Sequence, residues 1–291
     1  MPLSRPHEDA LAAGTRMGPV ELHVEHFDAM LAYYRDAIAL DHLAEIDGAH
    51  LLGRHGVATV SLRHTPGLPR FARSGAGLFH TAVLFDTREA LAAAVARVAQ
   101  SGLGRYTGSA DHLVSEAFYF DDPEGNGVEL YFDRPRESWQ RDATGRPLMD
   151  SLFLDANQYL TTHLSETEAS TPTGAARVGH VHLQVGDIPT AKDFYVNAVG
   201  FDEVMDMGSA LFVSAGGYHH HVGLNTWNSR GAGPRAASLG LGRMDIVLPT
   251  PDALGALRDR LASRGVEVVD DGLAATFADP WGSRIRVTVD A

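Results

Sequence analysis

The chain has 291 residues, of which 44% are hydrophobic and 21% are charged, and it contains no cysteine. This composition is typical of a soluble globular protein with room for two domains. It excludes disulfides and thiolate metal sites, so that any metal must be held by histidine and carboxylate side chains. The formal net charge of -13 argues against nucleic acid or an anionic membrane as a partner, because such binding needs cationic side chains. Small molecules are the expected ligands.

The N-terminal sequence MPLSRPHEDALAAGTR lacks the apolar core of a secretory signal, and no later stretch is apolar for long enough to span a bilayer. The cytoplasm is therefore the predicted compartment. Residues 1–16 are expected to form a tail that precedes the first domain.

Residues 17–64 and 178–227 follow one plan, with a strand, an amphipathic helix and short strands. The apolar positions that recur at helical spacing in the first of these are Phe27, Met30, Leu31, Tyr34 and Ile38. At one constant offset, Phe27, Tyr34 and Leu40 match Ile188, Tyr195 and Phe201. The chain therefore contains an internal repeat.

Residues 78–132 and 241–288 form a second kind of unit, in which a strand and a helix precede strands that close with Asp-Pro-x-Gly. This motif occupies residues 122–125 and 279–282. The sequence thus predicts an α+β chain of four βαβββ modules, numbered one to four in chain order.

Residues 133–176 interrupt this plan between modules two and three. DRPRESWQRDATGRPLMD is expected to form an extended strap, SLFLDANQYLTTHL a short amphipathic helix, and SETEASTPTGAAR a polar linker. The predicted division is a first domain at 17–136, the strap, helix and linker at 137–176, and a second domain at 177–291.

A hairpin closes module two. Val114–Phe120 favours a strand, residues 122–127 are rich in turn formers, and Val128–Phe132 favours a second strand. Glu129 lies between Val128 and Leu130 and so points to the opposite face. A lone carboxylate at such a position is usually solvated, and another role requires partners.

The four modules, with Asp-Pro-x-Gly-Asn-x-x-Glu closing the second, resemble the vicinal oxygen chelate superfamily of glyoxalases, bleomycin-resistance proteins and extradiol dioxygenases. The hairpin resembles the extradiol ring-cleavage signature at His112, Phe118, Tyr119, Asp122, Pro123, Gly125 and Glu129. Ala110 departs from that pattern, which has Gly, Asn, Thr, Ile or Val there. FVSAGGYHHHVGLNTW and DRPRESWQRD resemble in particular the catechol-2,3-dioxygenase type found in Bacillus. The resemblance implies two domains, each built from two modules that form half-barrels.

In that superfamily, metal ligands come from the first and last strands of paired modules. The candidate positions, in module order, are Pro19 and Ser61, His80 and Glu129, His180 and His221, and Arg243 and Arg286. The resemblance to extradiol enzymes implies that His80, Glu129 and His180 hold the metal. Two imidazoles and one carboxylate suit Fe(II), with Mn(II) as the alternative, and leave three positions open for a catechol and O2.

This ligand set implies that modules two and three share one site, with module one pairing with module four. Extradiol enzymes of the familiar two-domain kind hold their triad within the C-terminal pair. Whether modules two and three meet within one chain or between subunits of a homo-oligomer is left open by the sequence.

The resemblance also gives roles to other polar residues. His221 matches the family histidine that manages protons beside O2, and His112 with Tyr119 matches the pair that hydrogen-bonds substrate and intermediate. On a strand, His219 and His221 would share one face, and whether His221 is a ligand or an acid and base is left open. His182 competes with His180, which is preferred because the repeat aligns it with the ligand position.

The remaining candidates have simpler interpretations. Surface or structural roles are predicted for the histidines of module one, namely His23, His26, His42, His50, His55 and His64. Arg243 and Arg286 are predicted to mark a vestigial site, where they pair with carboxylates or fill the half-barrel.

The predicted function is extradiol cleavage of a small aromatic diol by O2, which gives a 2-hydroxymuconic semialdehyde-type product. One alternative is a glyoxalase-like lyase or isomerase in which His221 is a fourth ligand to Zn or Ni. The other is a binding protein without catalysis, as in bleomycin resistance. The signature at His112 and Tyr119 favours the dioxygenase.

Overall fold

The computed structural model describes residues 10–290. They form two compact units, of which one comprises residues 19–68 and 80–179, and the other comprises the residues up to 18, residues 69–79 and the residues from 180 onward. Within the described part of the chain, no helix has the length and apolar character needed to cross a membrane.

The secondary structure repeats in module order. The strands of modules one and two are β1 (Arg16–Val24), β2 (Asp41–Ile46), β3 (Ala49–Arg54), β4 (Val57–His64), β5 (Gly77–Phe85), β6 (Arg105–Asp111), β7 (Ser115–Asp121) and β8 (Gly127–Asp133). Those of the insertion and modules three and four are β9 (Leu152–Phe153), β10 (Ala176–Gln184), β11 (Asp202–Asp206), β12 (Ala210–Ser214), β13 (Val222–Asn225), β14 (Gly240–Leu248), β15 (Val269–Asp270), β16 (Ala274–Ala278) and β17 (Arg284–Val289). The α-helices are α1 (Phe27–Ala32), α2 (Arg88–Ser101), α3 (Ala156–His163), α4 (Glu166–Ser170), α5 (Ile188–Lys192) and α6 (Pro251–Ser263).

Every module has the same strand order. Its first and last strands lie side by side and parallel, as the registers Val20↔Val60, His80↔Gly127, Val181↔Val222 and Met244↔Ile285 show. The two strands between them in sequence continue the array in antiparallel pairing. Parallel neighbours need a long crossover, and the helix after each first strand provides it. The predicted α+β fold of four βαβββ modules is confirmed.

The first helices of modules one and three share an irregularity. Helix α1 continues into a π-helical turn at Tyr33–Ala37, and α5 continues into one at Asp193–Val199. Each segment is followed by a residue with positive φ, Ala39 two residues after the first and Gly200 directly after the second. The internal repeat predicted from sequence therefore extends to the backbone conformation of the helix ends.

A buried tyrosine in each of these turns ties its helix to an Asp-Pro-x-Gly turn. The Tyr34 hydroxyl lies 3.1 Å from Asp122 Oδ2, and the Tyr195 hydroxyl lies 3.0 Å from Asp279 Oδ2. Both aspartates also accept hydrogen bonds from backbone N–H groups of their own turns. The same contact therefore joins modules one and two and, separately, modules three and four.

The insertion between modules two and three is more ordered than the sequence predicts. Strand β9 pairs with β6, with Phe153 opposite Ala110, and the predicted amphipathic helix is α3, whose N-terminus is capped by Asp155. Part of the predicted linker forms α4, because the Ser165 side chain accepts from the Glu168 N–H and caps the helix.

Candidate metal centre

His80 and Glu129 lie on one face of module two because their strands are parallel neighbours. In the β5–β8 register, His80 is opposite Gly127 and Ala82 is opposite Glu129. Side chains two residues apart on a strand share a face, so His80 and Glu129 point to the same side. The small side chain of Ala82 leaves room between them. The predicted hairpin is confirmed, with β7 and β8 as its strands.

Both side chains are buried, with 7% of His80 and 2% of Glu129 exposed. His80 Nε2 lies 2.9 Å from Glu129 Oε2. A buried carboxylate is costly unless it has a cationic, hydrogen-bonding or metal partner. Two ligand atoms held about 2.1 Å from one octahedral ion lie about 3 Å apart, so this separation suits neighbouring metal ligands.

His180, on β10, is the third member of this group and is 1% exposed. One ligand atom from each of His80, Glu129 and His180 lies within 4.8 Å of the other two. The donor set is two imidazoles and one carboxylate, which suits Fe(II) or Mn(II) and leaves coordination positions for substrate. The three residues therefore fit a metal centre. In residues 10–290, no other three histidine, aspartate or glutamate side chains form a comparable group.

Tyr119 lies directly opposite Glu129 in the β7–β8 pair. Burial, the negative charge of Glu129 and a hydrogen bond to that carboxylate together raise the pKa of Tyr119 well above its ordinary value. On its other side, the Tyr119 hydroxyl lies 2.6 Å from His112 Nε2. The signature residues His112 and Tyr119 are therefore in contact, and Tyr119 connects His112 to Glu129.

The insertion determines which nitrogen of His112 carries hydrogen. His112 Nδ1 lies 2.7 Å from the Asp150 carbonyl, which only accepts, so Nδ1 is the donor. In the neutral ring, Nε2 must then accept from the Tyr119 hydroxyl. The Tyr119 hydroxyl carries one hydrogen, which it donates either to His112 Nε2 or to Glu129.

The prediction that residues 218–221 lie on a strand is wrong. Strand β13 begins only at Val222, and these four residues belong to the loop before it. His221 Nδ1 accepts from the Ala215 N–H, and its ring contacts Tyr218 and Phe201. Strand alternation therefore does not set the directions of these rings. A catalytic or ligating role for His221 stays a prediction.

The ring next to His180 is that of His220, with centroids 4.0 Å apart. His219 is farther from His180, at 5.9 Å. His182 is buried and bonds through Nε2 to Asn225 Nδ2 at 3.0 Å, outside the three-residue group. No sequence pattern singles out His220, and only the geometry of the loop before β13 brings it to His180.

Arg243 and Arg286 pair with a carboxylate. This was one of the two predicted alternatives, the other being that they fill the half-barrel. Arg243 Nε lies 2.6 Å from Asp245 Oδ1, and Arg286 Nη1 lies 3.6 Å from Asp245 Oδ2. In module one, Arg63 binds Glu21 at 3.1 Å. Ion pairs thus join the first and last strands of module one and of module four.

The six histidines of module one are exposed or half-buried. His26 has 60% of its side chain exposed, and His42 Nε2 lies 3.2 Å from His50 Nδ1 at the surface. None of the six belongs to the three-residue group of ligand atoms. Their predicted surface or structural roles agree with these positions.

Comparison with known proteins places the chain in a family. The model of the Glyoxalase/Bleomycin resistance protein/Dioxygenase superfamily matches residues 16–130 and 177–287, which together make up most of the sequence. The chain belongs to this superfamily. The two matched ranges are the two repeated glyoxalase-type domains, and the insertion lies between them.

Individual members of the superfamily are similar over nearly the whole chain. Catechol-2,3-dioxygenase from Bacillus subtilis (strain 168) is 37% identical over 281 residues, which are 94% of this chain and 95% of the relative. The solved structure of a protein described as a putative dioxygenase from B. subtilis has a TM-score of 0.63 at 16% identity, covering 94% of this chain and 86% of that one. Glyoxalase I from Zea mays has a TM-score of 0.59 at 16% identity, covering 95% and 92%. These structural similarities show the superfamily fold.

Proposed function

We propose that this superfamily member is an extradiol dioxygenase that cleaves a catechol with O2 to a 2-hydroxymuconic semialdehyde-type product. The observation that carries the proposal is the buried group of His80, Glu129 and His180, whose ligand atoms lie within 4.8 Å of one another. The 37% identity to a protein named catechol-2,3-dioxygenase supports the same reaction class.

His80 and Glu129 of module two and His180 of module three would hold Fe(II), or alternatively Mn(II). When bound, the metal would supply a Lewis acid and a path for electrons between catechol and O2. The chain itself supplies a dry site, because the three ligand side chains are at most 7% exposed. Exclusion of water strengthens every electrostatic interaction in such a site.

His112 and Tyr119 would serve as the proton store of the reaction. Catechol binding releases protons and ring opening takes them up, so a group that alternates between donor and acceptor is required. The Tyr119 hydroxyl bonds to Glu129 on one side and to His112 Nε2 on the other. The Asp150 carbonyl holds the His112 ring so that Nε2 faces Tyr119.

The activity is tested by loading the protein with Fe(II) without air, adding catechol and then oxygen, and following O2 uptake together with the yellow ring-opened product. Parallel loading with Mn(II) decides which metal supports turnover. The proposal predicts stoichiometric O2 uptake and product. Absence of uptake with several catechols, combined with tight binding of Zn or Ni, would overturn it in favour of a glyoxalase-like reaction.

The ligand set is tested separately by metal retention. Glu129→Ala and His180→Ala should each lose the metal after gel filtration, whereas His26→Ala, at a side chain that is 60% exposed, should retain it. Full metal content and activity in His180→Ala would show that modules two and three do not share this centre.

A further inference from the structure

A run of aromatic rings leads away from the proposed ligand His180. It begins at His220, continues to Phe212 at 5.0 Å and then to His182 at 5.7 Å between ring centroids. From His182 it reaches Phe79 at 5.1 Å and Trp227 at 5.5 Å, and these two rings meet each other at 5.4 Å. We call these five residues, Phe79, His182, Phe212, His220 and Trp227, the aromatic wall.

The aromatic wall is partly open to solvent. Trp227 is 52% exposed, whereas Trp139 and Trp281 are 5% and 4% exposed. Phe79, Phe212 and His220 are half-buried. Aromatic rings bury large areas and normally complete a core, so a contiguous half-exposed set beside a buried polar centre is typical of a binding surface.

Hydrogen bonds hold the aromatic wall in place. The Asn225 side chain, which is fully buried, donates from Nδ2 toward His182 Nε2 at 3.0 Å and accepts from the Trp227 N–H at 3.1 Å. One amide therefore fixes both a ring of the wall and the start of the loop that carries Trp227. A surface arranged in advance loses less entropy when a ligand binds.

A glycine beneath His182 completes this support. A Cβ on Gly223 would meet His182 Cγ at 2.9 Å and Nδ1 at 3.0 Å, so the imidazole lies directly over the glycine backbone. Gly223 is opposite His182 in the parallel β10–β13 pair. Only a residue without a side chain leaves the ring in this position.

The aromatic wall extends from His180 along β10. His180 and His182 lie two residues apart on this strand, on the same face, which is a rise of roughly 7 Å. A catechol whose two oxygens are held at the centre would extend its ring past His180 and His220. A substituent on that ring would reach His182 and Trp227.

We propose that the substrate is a catechol with a flat, apolar substituent of the aryl class, which packs against the aromatic wall, and that Phe212 and Trp227 determine this preference. The proposal rests on the proposed dioxygenase function and names its substrate class. The wall consists of rings and contains no guanidinium or ammonium group that would select a carboxylated substituent.

The first test compares kcat/KM of the Fe(II)-loaded enzyme for catechol, a phenyl-substituted catechol and a carboxylated catechol. The phenyl compound should be preferred over catechol by about tenfold or more, since an aromatic contact and the burial of a ring add to binding. Phe212→Ala and Trp227→Ala should each reduce this preference severalfold. Phe153→Ala, which removes an 87% exposed phenylalanine outside the wall, is the control.

The second test does not depend on oxygen chemistry. Protein loaded with Zn(II) is titrated with the same compounds, and the fluorescence of Trp227 is obtained as the difference between the wild type and Trp227→Phe. Stronger quenching and tighter binding by the phenyl compound support the aromatic wall even if no catechol is cleaved, which would count against the dioxygenase function alone. Equal binding of all three compounds, or a preference for the carboxylated one, would overturn the proposed substrate class.

Discussion

Three of the residues around Glu129 explain why a carboxylate can be buried at this position in module two. His80 lies 2.9 Å away, Tyr119 is directly opposite on β7, and Ala82 is opposite on β5. A large apolar residue in place of Ala82 would fill the space toward His80, and an apolar residue in place of Tyr119 would remove a hydrogen-bond donor. The burial of Glu129 is thus tolerated because each surrounding position has a compatible side chain.

Replacing Tyr119 by phenylalanine tests its role apart from metal binding. Tyr119→Phe keeps all three proposed ligands and removes the hydroxyl between His112 and Glu129, so metal content should be retained while kcat falls by roughly 100-fold. Metal analysis and O2 uptake measure the two effects. Tyr106→Phe, on the neighbouring strand with its hydroxyl bonded to Ser109, is the control, and equal kcat values in the two variants would contradict the assigned role.

Gly179 precedes His180 and leaves no room for a side chain. A Cβ there would lie 1.7 Å from the Tyr131 hydroxyl, so Gly179→Ala must displace Tyr131 or β10. We expect the variant to lose about 1–3 kcal/mol in the free energy of unfolding and to bind metal more weakly. Denaturant unfolding in a chelator, followed by metal titration, measures both.

The matched control for this substitution is Gly255→Ala in α6. Nothing lies within 4 Å of a Cβ at Gly255. Because alanine favours a helix over glycine, this variant should be about 1 kcal/mol more stable. A Gly179→Ala protein as stable as the control would show that the contact with Tyr131 relaxes without cost.

At the scale of elements, the Tyr34–Asp122 contact connects the helix of module one to the turn between β7 and β8. Glu129 lies on β8, the strand that follows this turn. Burial raises the pKa of Asp122 from 3.8 to about 6, and the hydrogen bonds that the carboxylate accepts from Asn126, the Glu124 N–H and Tyr34 limit the rise. Burial also raises the pKa of Asp279, its counterpart beside Tyr195. Each turn therefore contains a carboxyl group that binds its proton more tightly in the folded protein.

The raised pKa of Asp122 predicts a particular pH dependence. Since the folded state binds this proton more tightly, the stabilising contribution is complete below pH 3.8 and is lost as the pH rises through about 6. The loss is at most about 3 kcal/mol, from a shift of roughly two pH units. Urea unfolding of metal-free protein between pH 4 and pH 8 measures it.

Asp122→Asn isolates this contribution. The difference in the free energy of unfolding between wild type and variant should shift in favour of the variant as the pH rises. Asp28→Asn, at an exposed position of α1, reports the effect of removing a surface carboxylate. A difference that does not change with pH for Asp122→Asn would contradict the raised pKa.

At the scale of the whole molecule, four modules of one design carry different chemistry. In module two His80 and Glu129 lie on one face, and in module three His180 lies on β10. In module four, Arg243 and Arg286 face Asp245, and in module one Arg63 binds Glu21. The four modules share one backbone plan, and the polar side chains on their first and last strands differ from module to module.

Metal binding is expected to stabilise the whole protein. An ion that binds only the folded state raises the free energy of unfolding by about 4 kcal/mol at a concentration 1,000 times its Kd. The Tm of the wild type should therefore rise with added Fe(II) under anaerobic conditions and return after chelation. Glu129→Ala should show no such change, and an equal rise in that variant would place the metal elsewhere.

Much of the molecule could be predicted from the residues themselves. The repeat at constant offset and the two Asp-Pro-x-Gly turns are local patterns, and they predicted the four modules and the hairpin of Glu129. The ligand types were also predictable, because a chain without cysteine has only histidine and carboxylates for a metal. Strand alternation then predicted which face Glu129 occupies.

Other features depended on the tertiary structure. Residues 218–221 precede β13, and outside a regular strand no periodicity relates neighbouring side chains. Only the folded loop shows that the His220 ring lies 4.0 Å from the His180 ring. Likewise, the Asp150 carbonyl reaches His112 from a strap 38 residues later in the chain, a contact that local sequence does not encode.

The sequence by itself determined the modules, the turn chemistry and the inventory of possible ligands, because these follow from short-range periodicity and residue type. The tertiary structure decided which histidines come together, how His112 is oriented and where the aromatic wall lies. These depend on contacts between residues distant in sequence, and on loop conformations set by the packing around them.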